Sequence, residues 1–295
     1  MINSIFLFRE LRPDTEKAYQ KVVNQLLKFY PDKSPQALTK ADIVHWRAEV
    51  LFRIKPVTWN NYCRHLKSLY NFAIEQNFIK NKDNPFKKMM VREGNTSRKV
   101  LDETIFRKID LLFKSEENLP SRLRPKWFIL CLINVLKYTG IRRAQLVKLR
   151  IKDINLSRKM ICIPSHINKN HKYHEIPIPQ ILFNDFQKIA EELRRIGDDE
   201  DAQFFNVNRF STTNYRQGEM MSNHQLSHIF YVLSKEISCK VSPHRFRHTL
   251  ATKLIKNKTS IYDVKRILGH SDLKVTMSYI EEDPEDLRSA LDSVY

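Results

Sequence analysis

From Ser242 to Tyr279 the chain reads SPHRFRHTLATKLIKNKTSIYDVKRILGHSDLKVTMSY, and side chains suited to proton transfer and nucleophilic attack recur along it. Ser242 is a good N-cap and Pro243 suits the first helical position. His244, Arg247 and His248 then fall at i, i+3 and i+4, on one helical face. Ser260 with Asp263 opens a second helix, Gly269 is placed to end it, and His270 follows directly. Tyr279 comes nine residues after His270, in a further short helical stretch. An arginine stays charged at any working pH and grips an oxyanion through paired, charge-assisted bonds. An imidazole donates a hydrogen bond or takes a proton. A tyrosine hydroxyl, with an unperturbed pKa of about 10, is a poor nucleophile unless a base or cationic surroundings assist it. The set suits attack at a negatively charged centre.

Each residue also has a plainer role. His244 and His248 could form a metal pair, but there is no H-E-x-x-H pattern and no evident third ligand. A lone helical histidine is usually structural, a lone arginine usually a salt-bridge partner, and a tyrosine usually half-buried packing. His166, His171 and His174 cluster as polar hairpin residues. Tyr262 lies nearby but precedes His270.

The joint pattern His244-x-x-Arg247, Leu268-Gly269-His270, then Tyr279 resembles the C-terminal half of the tyrosine recombinases, the phage integrase family. Thr139-Gly140-Ile141-Arg142, after a buried helix, is similar to that family's first catalytic box, and gives Arg142 the role of first catalytic arginine. Arg143 beside it is a rival phosphate contact. The family usually has Glu or Asp three residues after the arginine; this chain has Gln145, which accepts a hydrogen bond but brings no charge. The family's catalytic lysine lies in a β-hairpin, eight residues before a proline. Counting back from Pro177 gives Lys169, with Lys172 as competitor.

The resemblance implies six catalytic residues: Arg142, Lys169, His244, Arg247, His270 and Tyr279. The arginines and His270 would hold the phosphate oxygens, and His244 would assist the tyrosine. Lys169 would protonate the departing 5′-oxygen, and Tyr279 would form a 3′-phosphotyrosyl link. One phosphoester replaces another, so the chemistry implies no cofactor, no metal and no ATP.

The elements that must position these residues follow from pattern and length. At 295 residues two domains are expected, each with its own core. The fold class expected is mainly α. The resemblance implies a four-helix SAM-like core-binding domain over 1–90, a linker over 91–100, and a mostly α catalytic domain with a small antiparallel β-sheet over 101–295. In the first domain, Asp14 can cap a helix buried through Tyr19, Val22, Val23, Leu26 and Leu27. Thr39 and Asp42 form a capping box ahead of Ile43 and Trp46. A third helix runs from near Val57 to Gln76, with Asn60, Arg64, Lys67 and Asn71 along its polar side. That side fits a major groove, where Asn reads adenine and Arg reads guanine, or simply faces water. Asn84-Pro85 matches the family's usual ending of this domain. Lys87–Val100 is basic and reads as the linker; Arg98 and Lys99 in it are candidate DNA contacts. In the second domain, Asp102 caps a helix, Pro125 opens a long buried one, and strands are expected over Lys159–Ile163 and His174–Ile178. Pro179 leads into another helix, Ser222 with Gln225 caps the next, and Asp198–Asp201 is an acidic loop. A tail helix is expected through Leu287, Ala290 and Leu291.

The formal net charge of +18 favours a polyanionic partner, nucleic acid ahead of a membrane surface. Cys63, Cys131, Cys162 and Cys239 are scattered, which disfavours a zinc site or disulfide framework and suits a reducing cytoplasm. The start lacks a signal-peptide pattern, and the apolar run Trp127–Leu136 is about half a membrane span. The resemblance implies double-stranded DNA sites and four protomers of this chain as partners, with an accessory directionality factor or second recombinase possible. Two other readings stay open: a type IB topoisomerase-like nick-and-reseal enzyme, and a catalytically silent DNA-binding protein, which Gln145 would suit.

Overall fold

A computed structural model describes residues 11, 13–80, 82–94, 100–114, 117–211, 218–280, 288 and 292. The chain forms two compact units, Met1–Ser97 and Arg98–Tyr295. Arg98, Lys99 and the expected tail helix through Leu287, Ala290 and Leu291 lie outside the described residues.

Three α-helices stand among the described residues of the first unit: α1 (Pro13–Phe29), α2 (Lys40–Leu51) and α3 (Pro56–Glu75). α1 begins a residue ahead of Asp14, so this carboxylate lies in the first turn, complementing the helix dipole rather than capping. α2 carries the full Thr39–Asp42 capping box, each side chain bonding the other's backbone N–H. The core is aromatic: Trp46 and Trp59 meet edge-on at 5.2 Å, and Trp59 Nε1 donates to the Met89 carbonyl. Val22 and Leu26 of α1 join this core, whereas Leu27 is exposed. Asn84 Nδ2 donates to the Lys67 carbonyl and to Asn71 Oδ1, which ties the Asn84-Pro85 segment back onto α3.

The second unit is built on α5 (Lys126–Thr139), whose Phe128, Ile129, Leu132, Val135 and Leu136 are fully buried. α4 (Glu103–Leu112) precedes it, capped by Asp102, and the four-residue α6 (Arg143–Leu146) follows. A three-stranded antiparallel sheet comes next, in the order β1 (Ile154–Asn155), β2 (Met160–Ile163) and β3 (His174–Pro177). Met160 pairs with Pro177 and Ile163 with His174, leaving 164–173 as the connecting loop. Short β1 was not expected; two residues give too little alternation to read. The chain continues through α7 (Gln180–Ile196), α8 (Val207–Phe210) and α9 (Asn223–Glu236). It ends in α10 (Pro243–Lys256), α11 (Ile261–Leu268) and α12 (Leu273–Met277). Two carboxylates of the acidic loop are paired within the unit: Asp201 with Arg150 and Lys152, and Asp198 with Arg209. No helix among the described residues is long and apolar enough to cross a membrane.

Candidate active site

Two left-handed glycines bring the site's elements together. Gly140 ends α5 at φ 59°, and a Cβ there would meet Leu250 and Leu268, each at 3.0 Å. Gly269 ends α11 at φ 61°, and a Cβ there would sit 2.8 Å from the His174 ring. Both positions need glycine for backbone and for space. The chain leaves α5 at Gly140 and presents Arg142 at the start of α6; it leaves α11 at Gly269 and presents His270. β3 supports the second turn, since His174 Nε2 bonds the Arg266 carbonyl at 2.6 Å.

The two arginines are held by those same turns. Arg247, only 5% exposed, donates through Nη1 to the Gly140 carbonyl and through Nη2 to the Leu268 carbonyl. Arg142 donates through Nη2 to the Gly269 carbonyl at 3.0 Å, while its buried Nη1 has no hydrogen-bond partner. Burial lowers the pKa of both guanidinium groups. Burial first, then the charge of Arg142, pushes Arg247 down to about 9, so Arg247 remains cationic near neutral pH.

Two imidazoles of the site, His270 and His244, are held below the ordinary histidine value. Burial, reinforced by Arg247 and Arg142, pushes His270 down to about 4. Its Nδ1 lies 2.9 Å from Thr276 Oγ1, and Thr276 is fully buried in α12. His244 is lowered by burial and by Arg247. Its Nε2 meets His248 Nε2 at 2.7 Å, an arrangement that needs one nitrogen protonated and the other not. Tyr279 is 5% exposed, stacked parallel to His270 at 6.0 Å and tilted against His248 at 5.2 Å.

One pocket of about 750 Å³ gathers the whole set: Arg142, Lys169, His244, Arg247, His270 and Tyr279 all line it. Lys169 reaches it from the exposed hairpin loop, whereas Lys172 lines a neighbouring pocket with Tyr262. Arg143 also borders the site, but its guanidinium is bonded to Ser227. Among the described residues, no group of three or more His, Cys, Asp or Glu is placed to hold a metal ion.

The chain belongs to the phage integrase family. The family's model matches residues 108–286, and that of the phage integrase N-terminal SAM-like domain matches residues 3–79. A Pseudomonas aeruginosa protein named as a tyrosine recombinase XerC is 33% identical over 292 residues, 96% of this chain and 68% of that one. Its namesake in Pseudomonas syringae is 31% identical across 97% of this chain, which spans 61% of that protein's length. The Tn1549 transposon integrase, solved in complex with a circular intermediate DNA, shares the fold. Its TM-score is 0.74, with 17% identity over 99% of this chain and 98% of that one. Lambda integrase, solved as a dimer bound to a core site, has a TM-score of 0.71 at 17% identity, over 95% and 93% of the two chains.

Of the expected DNA contacts on α3, Asn60 is not on a solvent face. It is 1% exposed, its Nδ2 donates to the Val91 carbonyl and its Oδ1 accepts from Val91 N–H. The period of the stripe is right, but the returning segment at Val91 covers its first member. Arg64, Lys67 and Asn71 are exposed and line a cleft of about 600 Å³ on the first unit. Asn71 there is partly occupied by Asn84, and Arg64 by Asn61 and Glu93.

Sequence reading missed three supports. Thr276 braces His270, His174 fills the space beneath Gly269, and Asn168 bonds Gln145. Only the glycines carried a signal, as helix-ending residues one or two positions before a site residue.

Proposed function

We propose that this chain is a site-specific DNA recombinase, cutting and rejoining strands through a phosphotyrosyl intermediate. The observation that carries this reading is the convergence of six dispersed side chains on one pocket, with a buried Arg142 nitrogen still unpartnered in it. A phosphodiester in the pocket gives that nitrogen its acceptor. Arg142 and Arg247 then face the non-bridging oxygens, where negative charge grows as phosphorus becomes five-coordinate. With Thr276 donating to His270 Nδ1, the imidazole proton sits on Nε2 and adds a further donor.

Tyr279 Oη attacks phosphorus and passes its proton to His244. The P–O5′ bond breaks, its electron pair goes to the 5′-oxygen, and Lys169 delivers the proton that oxygen needs. A 5′-hydroxyl from a second duplex reverses the step. Both stages exchange one phosphoester for another. Arg64, Lys67 and Asn71 act as DNA contacts of the first unit, and Arg98 and Lys99 follow in sequence. The solved lambda integrase tetramer on a Holliday junction supports a synapse of several copies. An accessory factor or second recombinase would supply directionality, and the DNA-borne, basic character of the chain suits a nucleoid-associated cytoplasmic protein.

A duplex nicked near the cleavage site tests this. The expected result is a covalent adduct, absent in Tyr279→Phe, with DNA binding kept. A two-site exchange assay against supercoil relaxation separates recombinase from topoisomerase. No adduct on any nicked duplex would favour the silent DNA-binding reading.

A further inference from the structure

The position that departs from the family pattern is not idle. Gln145 is 2% exposed, and its Oε1 accepts from the backbone N–H of Arg142 at 3.1 Å. Its Nε2 donates to Asn168 Oδ1 at 3.0 Å, and Asn168 is fully buried. Asn168 Nδ2 donates in turn to the Lys172 carbonyl at 2.7 Å. This line of amides starts at the backbone of Arg142 and ends on the hairpin loop, bracketing Lys169 from both sides. The loop is otherwise exposed at Lys169, His171, Lys172 and Tyr173.

We propose that Gln145 and Asn168 are positioning residues that couple the Arg142 turn to the Lys169 loop, fixing the proton donor against the phosphate that Arg142 holds. The inference rests on the reading of Lys169 as the general acid.

The donor and acceptor pattern requires an amide at 145. A carboxylate there accepts from Arg142 N–H as well, but has no hydrogen for Asn168 Oδ1. Turning the Asn168 amide over would offer Nδ2 to the carboxylate and leave Oδ1 facing the Lys172 carbonyl. Either arrangement buries two acceptors against each other, a contact without compensation in a site closed to water. Gln145 is therefore matched to Asn168, rather than a weakened version of an acid.

Leaving-group chemistry gives the test. An alkoxide needs a proton as the P–O5′ bond breaks, whereas a thiolate departs without one because its conjugate acid is far stronger. Single-turnover cleavage is measured on a normal duplex and on one with a 5′-bridging sulfur at the scissile position. The proteins are wild type, Lys169→Ala, Gln145→Glu, Asn168→Ser and Arg142→Ala. On the normal duplex Gln145→Glu and Asn168→Ser should fall at least about tenfold, within the range for general-acid catalysis. On the sulfur duplex both should recover most of that loss, as Lys169→Ala does, while Arg142→Ala stays slow on both.

Equal losses on the two duplexes for Gln145→Glu and Asn168→Ser, with Lys169→Ala rescued, would overturn the coupling but leave Lys169 as the acid. Failure of the sulfur duplex to rescue Lys169→Ala would overturn the underlying reading and the coupling with it. Loss of DNA binding by both Gln145→Glu and Asn168→Ser would also overturn it, because the pair would then be holding the fold.

Discussion

Arg142 and Gly269 are bonded directly, Nη2 to carbonyl oxygen at 3.0 Å, across 127 positions of sequence. The contact sets the arginine's plane and leaves Nη1, buried and unpartnered, as the nitrogen available to an anion. A guanidinium can serve both partners at once because its donors diverge from a rigid fork; an ammonium cannot. Arg142→Ala is therefore expected to slow cleavage by about 10²–10³, and Arg142→Lys to restore little of it. The check is single-turnover cleavage at saturating protein, where a pure binding defect would disappear.

Gly269 should be the least replaceable of the left-handed glycines. Gly197 has φ 85° with nothing near a Cβ, so Gly197→Ala carries only the backbone penalty of about 1–2 kcal/mol. Gly269→Ala adds a clash at 2.8 Å with the His174 ring, which is itself bonded to Arg266. Thermal melting should show the larger drop for Gly269→Ala, and only that variant should also lose cleavage activity.

The buried histidine makes stability acid-sensitive. His270 is pushed down to about 4 in the folded chain, while an unfolded histidine titrates near its ordinary value of about 6.5. On acidification the unfolded chain takes up the proton first. The stabilising contribution is full above about pH 6.5 and is lost as pH falls toward 4. The shift corresponds to about 3 kcal/mol at most. Melting temperature should fall between pH 7 and pH 4, and the fall should be shallower in His270→Gln.

Asn60 and Lys67 share a helix but should behave oppositely. Asn60→Ala breaks two bonds to the Val91 backbone and should cost about 1–3 kcal/mol of stability. Its effect on DNA affinity should come only through that loss. Lys67→Ala should leave melting unchanged, weaken DNA binding, and reduce the log–log salt slope by about 0.9, one phosphate's worth. Binding isotherms across salt concentrations measure this.

What the sequence made legible was local or periodic. Ser242 and Pro243 opening α10, the Thr39–Asp42 box, Ser222–Gln225 and Asp102 at their helices all follow from residues within one turn. Motif spacing nominated six residues that line a single pocket. What stayed hidden depends on chain segments far apart in sequence. Gln145 reaches Asn168 across 23 positions, and Asn60 meets Val91 across 31; no spacing rule anticipates either. Spacing to Pro177 favoured Lys169 over Lys172, but local pattern gave no other way to separate two lysines exposed on one loop. Which pocket each borders is decided by how the loop bends at His171, where φ is 53°.

In the proposed reaction Tyr279 attacks the phosphate held in this pocket. The most direct measurement is to trap the adduct on a nicked duplex, digest it with nuclease and trypsin, and locate the attached nucleotide by mass spectrometry. The nucleotide is expected on Tyr279, within the tryptic peptide 275–288, whose sole tyrosine it is. A nucleotide found on Tyr262 or any other residue, or an adduct persisting in Tyr279→Phe, would contradict it.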